Sequence, residues 1–156
     1  MIEERFMDAI KIVSRTMEGK QIEWAVVGST NLGLHGMEVT PHDLDIAVRS
    51  DRLGEVRSLF AAYNPSPVTK LESVVNDAWE VRLAIGGVEV QIFGERADGI
   101  YVSKLLEGKL ERLRARDVEV SCFTLEAEAQ AYSGTGRQEK AEAIRAFVKG
   151  TQKPRG

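Results

Sequence analysis

With 156 residues the chain has the length of one domain built on a single core. Its composition, 43% hydrophobic and 29% charged, is that of a globular protein, and no stretch approaches the ~20 apolar residues of a membrane span. A net charge of −3 argues against a general DNA or RNA binder, and the lone cysteine excludes an intrachain disulfide.

The first residues, Met1-Ile2-Glu3-Glu4-Arg5-Phe6, lack the basic start, apolar run and cleavage site of a signal peptide, so a cytoplasmic protein is expected. Phe6, Ile10, Ile12, Val13 and Met17 recur at near-helical spacing, which predicts a helix over 3–18 that ends near Gly19. Glu23-Trp24-Ala25-Val26-Val27 reads as a buried strand closed by Gly28. Ser29-Thr30-Asn31 is expected to cap a short helix that runs to about His35 and stops at Gly36.

Asp43 to Val48 predicts a second strand. Side chains alternate along a strand, so Leu44, Ile46 and Val48 share one face and Asp43 and Asp45 share the other. Asp51 is read as the N-cap of a helix from Arg52 to about Tyr63, with a loop from Asn64. Trp79 to Ile85 and Val88 to Phe93 both alternate, and Gly86-Gly87 between them signals a hairpin. Val88, Val90 and Ile92 form its core face, which leaves Glu89 and Gln91 together on the other.

A loop is expected over 101–108, and a second hairpin between Leu110 and Phe123 around Arg116-Asp117. Cys122 lies among β-favouring residues and reads as a buried thiol. One Cys and two His make a zinc site of the Cys/His kind an unfavoured reading. Thr124 starts a helix with Leu125, Ala129 and Tyr132 on its apolar face, Gly134-Thr135-Gly136 breaks it, and a last helix spans Arg137 to Lys149. The result is an α+β fold, a small mixed sheet flanked by helices with further helices at the C-terminus. One domain covers 1–150, and 151–156 form a disordered tail.

The candidate chemistry centres on Asp43 and Asp45. At i, i+2 on one strand face their carboxyl groups lie within ~7 Å, and two like charges that close repel. A divalent cation relieves the repulsion, and Mg²⁺ suits hard oxygen ligands completed by water and phosphate. Upstream, Gly28-Ser29 follows a buried strand and opens a helix, a turn that points N–H groups and a hydroxyl at an anion. Glu89 supplies a third carboxylate on a neighbouring strand.

Val26-Val27-Gly28-Ser29 through His42-Asp43-Leu44-Asp45-Ile46 resembles the signature of the nucleotidyltransferase superfamily related to DNA polymerase β: an apolar strand, G-[GS], a spacer, then [DE]-h-[DE]-h. Val88-Glu89-Val90 fits the family's later carboxylate strand. The stretch from Ala129-Gln130-Ala131-Tyr132 to Arg137-Gln138-Glu139-Lys140 resembles the helical tail of its small "minimal" members. The resemblance implies an enzyme that transfers a nucleoside monophosphate from an NTP, such as ATP, to an acceptor hydroxyl on a small molecule, protein or RNA. It implies two Mg²⁺ (or Mn²⁺) ions on Asp43, Asp45 and Glu89, with Glu89 as third ligand or general base. It further implies phosphate contacts from Gly28 and Ser29; Arg137 and Lys140, one helical turn apart, either contact the nucleotide or pair with Glu139 or Glu142. The family's third position is often Asp, and if Gln91 rather than Glu89 fills it the third ligand is lost. The alternative is a non-catalytic nucleotide- or partner-binding module on the same fold, with a protein partner of the toxin–antitoxin kind.

His42 reads as a loop residue next to Asp43, and His35 as a helix end. Lys104, Lys109, Arg112, Arg114 and Arg116 form the most basic segment, interleaved with Glu107 and Glu111 as a solvated face. Trp24 and Trp79 read as packing residues.

Overall fold

The computed structural model describes residues 2–71, 78–95 and 109–151. Helix α1 (Glu4–Met17) leads into β1 (Trp24–Val27), α2 (Gly28–Leu34) and β2 (Asp43–Val48). Helix α3 (Leu53–Leu59) and then β3 (Thr69–Leu71), β4 (Ala78–Ile85) and β5 (Val88–Glu95) follow. The chain closes with β6 (Leu110–Ala115), β7 (Val118–Phe123), α4 (Leu125–Gly134) and α5 (Gln138–Thr151). Among the described residues the strands form one seven-stranded mixed sheet in the order β3-β4-β5-β2-β1-β7-β6. The β2–β5 and β1–β7 pairs are parallel and the rest antiparallel.

The two faces differ in kind. One carries the expected sets Leu44, Ile46, Val48 and Val88, Val90, Ile92, joined by Val26, Val81 and Leu83. Phe6, Ile10, Val13 and Met17 of α1 and Leu53 and Val56 of α3 close over it. The amphipathic spacing of α1 thus finds its partner surface, and burial of this set supplies the main drive to fold. On the opposite face only a small cluster forms, where Ala127 of α4 meets Ala25, Val27, Ala47 and Phe123. Leu32 of α2 packs with Ala129, Tyr132, Ala141 and Ile144, which fastens α2 to the α4–α5 pair. Beyond these helices the face of β2, β5 and β4 stays polar.

Several local expectations need correction. Ser29, Thr30 and Asn31 lie inside α2, which begins at Gly28 and has no capping side chain of its own. Their side chains reach outward instead, Thr30 Oγ1 to the Asp43 carbonyl at 2.8 Å and Asn31 Nδ2 to the Phe123 carbonyl at 2.9 Å. Asp51 caps nothing: it sits in a 3₁₀ turn, Ser50–Arg52, and accepts from Arg49 Nε at 3.2 Å. The helix after it ends at Leu59, and a second 3₁₀ turn, Ala61–Tyr63, leads to Asn64 in the left-handed region. Gly94 explains the tight passage here, because a Cβ on it would lie 2.6 Å from Ser50 Cα. The stretch read as loop after Asn64 contains β3, too short to show a period.

Both hairpins form as expected, and Thr124 Oγ1 caps α4 by accepting from the Ala127 N–H at 3.1 Å. Cys122, Trp24 and partly buried Trp79 belong to the core. The expected loop over 101–108, Lys104 included, lies outside the described residues, as do 152–156. Among the described residues no helix is long and apolar enough to cross a membrane.

Candidate active site

The open face of the sheet gathers the predicted carboxylates. Register sets Asp43 beside Glu89 and Asp45 beside Gln91 across the parallel β2–β5 pair, and Gln91 beside Arg82 across β4–β5. All five side chains therefore rise from one face. Asp43 is exposed, whereas Asp45 is half-buried, with its Oδ1 buried and without a hydrogen-bond partner. Burial, and then the charge of Asp43, push the Asp45 carboxyl up to about 6, against a downward pull from Arg82.

The Gly28 turn sits directly over this pair. Val27 is the register partner of Asp45, so the next residue leaves the sheet above the Asp45 side chain. Gly28 adopts φ +75°, and a Cβ there would lie 3.0 Å from Asp45 Oδ2. Glycine is needed twice, for the left-handed backbone and for the close approach. Thr30, through its bond to the Asp43 carbonyl, ties α2 to the same strand.

Glu89 shares the face but is engaged elsewhere: its Oε1 accepts from Arg82 Nη1 at 3.2 Å. Gln91 donates through Nε2 to Glu80 Oε2. Glu89 is thus the carboxylate that β5 offers next to Asp43, and it must leave Arg82 to join a shared cation. The exposed Arg82–Glu89 pair holds it only weakly. The donor set fits a hard divalent ion. Asp45 presents a buried oxygen that lacks a donor, Asp43 adds a second charge beside it, and a cation would relieve both.

Two further residues come from α4, which packs on the same face of the sheet. Glu128 of α4 is fully buried, and its two oxygens accept from the Gly28 N–H at 3.1 and 3.3 Å. Asn31 Nδ2 donates to the same carboxyl at 3.3 Å. Burial drives the Glu128 carboxyl up to about 8; the Gly28 amide and Asn31 oppose this, and the charge of Asp45 adds to it. One turn along α4, burial and then the charge of Glu128 raise the Tyr132 phenol, while Arg137 and the Ser29 side chain oppose the rise. The Arg137 guanidinium lies 4.9 Å from the centre of the Tyr132 ring, a cation–π contact that holds it against α4. Lys140 follows one turn later on α5, and both border an open concavity of about 610 Å³.

Glu128 is the site residue that reading the sequence did not single out. The signal was present: Glu128 interrupts the Leu125, Ala129, Tyr132 face, where an acid is out of place unless it has buried donors. His42 is exposed beside Asp43. His35 ends α2, its Nε2 3.0 Å from the Phe123 carbonyl and 3.2 Å from Glu111 Oε1, with Cys122 Sγ at 3.9 Å. Among the described residues this is the group of three whose ligand atoms gather within 4.8 Å. The Cys122 thiol donates to the Glu111 carbonyl at 3.7 Å and burial pushes it up to about 12, so it is inert as a nucleophile.

Comparison with known proteins agrees with this geometry. The chain shares its fold with TM1012 of Thermotoga maritima, classed as a nucleotidyltransferase, with TM-score 0.71 and 24% identity over 96% of each chain. It also matches ANT(2")-Ia in complex with adenylyl-2"-tobramycin, with TM-score 0.53 and 14% identity over 95% of this chain and 99% of that one. The lincosamide antibiotic adenylyltransferase LnuA, lincomycin-bound, matches with TM-score 0.55 and 11% identity over 92% and 98%. No curated protein sequence matches significantly. The family model described as aminoglycoside-2''-adenylyltransferase matches residues 9–146, nearly the whole chain, and the protein is therefore a member of that family of nucleotidyltransferases.

Proposed function

We propose that this nucleotidyltransferase moves a nucleoside monophosphate from an NTP to an acceptor hydroxyl at the Asp43–Asp45 face. The observation that carries the reading is the buried, partnerless Asp45 Oδ1, set beside Asp43 and under the Gly28–Ser29 turn. Asp43 and Asp45 would hold divalent ions, two Mg²⁺ in this reading, with Glu89 as the third carboxylate. When bound, such ions neutralise phosphate charge and make the attacking hydroxyl more acidic.

The chain's own residues then position and balance charge. The Ser29 end of the turn faces the phosphates, and Arg137 and Lys140 supply positive charge toward the polyphosphate tail. The acceptor oxygen bonds to the α-phosphorus, the bond from that phosphorus to the bridging oxygen breaks, and pyrophosphate leaves with the electron pair. Glu89, once free of Arg82, is placed to take the acceptor proton. The two antibiotic adenylyltransferases make ATP and a hydroxyl-bearing small molecule the first donor and acceptor to try. The same reading places the enzyme in the cytoplasm.

The test is Mg²⁺-dependent pyrophosphate release with ATP and a panel of hydroxyl-bearing acceptors. The Asp43→Asn, Asp45→Asn double variant should lose it, and full activity in that variant would sink the reading.

A further inference from the structure

We infer that Glu128 is a positioning residue of the nucleotide site, which holds the Gly28 amide and the Asn31 side chain from α4 and so fixes the Gly28–Ser29 turn over Asp45. The inference rests on the function proposed above and adds to it a residue that does not touch substrate.

A buried carboxyl costs stability unless donors meet it. Around Glu128 the buried neighbours on α4 are Ala127, Ala129 and Ala131, and an apolar side chain there would serve packing alone. What Glu128 meets instead is the first N–H of α2, a helix without a capping side chain of its own. A helix start needs an acceptor for its free N–H groups, and Glu128 provides one from 100 residues away in sequence. It also stands in the first turn of α4, where an acidic residue is favoured by the helix dipole.

The second tie is independent. Tyr132 lies one turn on and belongs, with Ala129, to the apolar surface that α4 offers to α2. Leu32 packed against Ala129 and Tyr132 keeps α2 and α4 in register. The consequence reaches the metal carboxylate because Gly28 and Asp45 are in close approach. If the turn drifts by a few tenths of an ångström, the Asp45 oxygens move with it.

The test measures binding of α,β-methylene ATP with Mg²⁺ by calorimetry, alongside thermal melting of the ligand-free proteins. Glu128→Ala should weaken binding about tenfold or more while it still melts cooperatively, and Glu128→Gln, which keeps an oxygen for the Gly28 amide, should restore it to within about threefold. A merely structural role would show in the melting temperature and not in this rescue. A folded Glu128→Ala that binds like the parent overturns the inference. If Glu128→Ala does not fold, Glu128→Asp decides: the shortened reach should still weaken binding, and unchanged affinity overturns the inference. Asp45→Asn, measured in parallel, separates the two levels. Lost binding there with intact binding in Glu128→Ala removes only the role of Glu128, whereas intact binding in Asp45→Asn removes the site reading and the inference with it.

Discussion

A methyl group on Gly28 would stand 3.0 Å from Asp45 Oδ2, and the backbone at Gly28 has φ +75°. Gly28→Ala therefore meets two separate penalties. The left-handed backbone costs ~1–2 kcal/mol for a residue with a Cβ. The contact also displaces the Asp45 carboxyl, because its Oδ2 must give way to the new methyl. The variant should melt several degrees lower and lose pyrophosphate release about tenfold or more, since misplacing a catalytic group by even 1 Å has costs of this order or larger. Melting and turnover with saturating Mg²⁺ check both parts; a normal kcat in the folded variant contradicts the placement of Asp45.

Asp45→Asn should stabilise the metal-free protein even as it disables it. The carboxyl is raised from 3.8 to about 6 in the folded chain. The folded state thus holds the proton more tightly than the unfolded state, so stability falls as pH rises from about 4 through 6, and the whole penalty is present above that. A displacement of this size corresponds to ~3 kcal/mol, an order-of-magnitude figure. The amide carries no such penalty, so ligand-free Asp45→Asn should melt a few degrees above the parent at pH 7.5. Mg²⁺ should raise the melting temperature of the parent and not of the variant. A parent protein indifferent to Mg²⁺ would remove the cation from this site.

What was legible in the sequence follows a physical divide. Elements whose pattern is set by one face were read directly: Leu44, Ile46 and Val48 against Asp43 and Asp45, or Val88, Val90 and Ile92 against Glu89 and Gln91. The pairing of Asp43 with Glu89 was not legible, since it depends on how β2 and β5 slide past each other across a parallel pair. Caps were the weakest part. Thr124 caps as expected, but Asp51 turns to Arg49, and the side chains of Thr30 and Asn31 reach other strands. A local signal cannot show that a better partner lies ninety residues away, which is also why Glu128 stayed hidden.

Glu128 makes a prediction about acid and base. Its carboxyl is raised from 4.5 to about 8, so the folded chain again binds the proton more tightly than the unfolded chain. Its contribution is full below about 4.5, declines as pH rises, and is lost above about 8. Glu128→Gln, which resembles the protonated form, should remove that part of the slope. Urea unfolding of the metal-free proteins at pH 5 and pH 8.5 should show the parent losing more stability between the two than the variant. Equal losses would mean that Glu128 ionises in the fold as it does in water.

Arg82 and Glu89 allow the last prediction, because Arg82 has two opposed duties. It holds Glu89 at 3.2 Å and it lowers the Asp45 carboxyl. Arg82→Ala frees Glu89, which favours its joining the aspartates, but raises the pH at which Asp45 ionises. Turnover needs ionised Asp45, so the acid limb of the pH–kcat/KM profile should move to higher pH in Arg82→Ala. Glu89→Gln should instead lower kcat about 100-fold at every pH, the scale of a lost proton acceptor. Glu89→Gln should alter melting by no more than about two degrees, because an exposed ion pair contributes ~0–1 kcal/mol. Arg82→Ala should cost more, since it also strips the largely buried Glu80 of its partner at 3.2 Å. An acid limb unmoved in Arg82→Ala would show that Arg82 does not set the charge on Asp45, and full kcat in Glu89→Gln would take Glu89 out of the reaction.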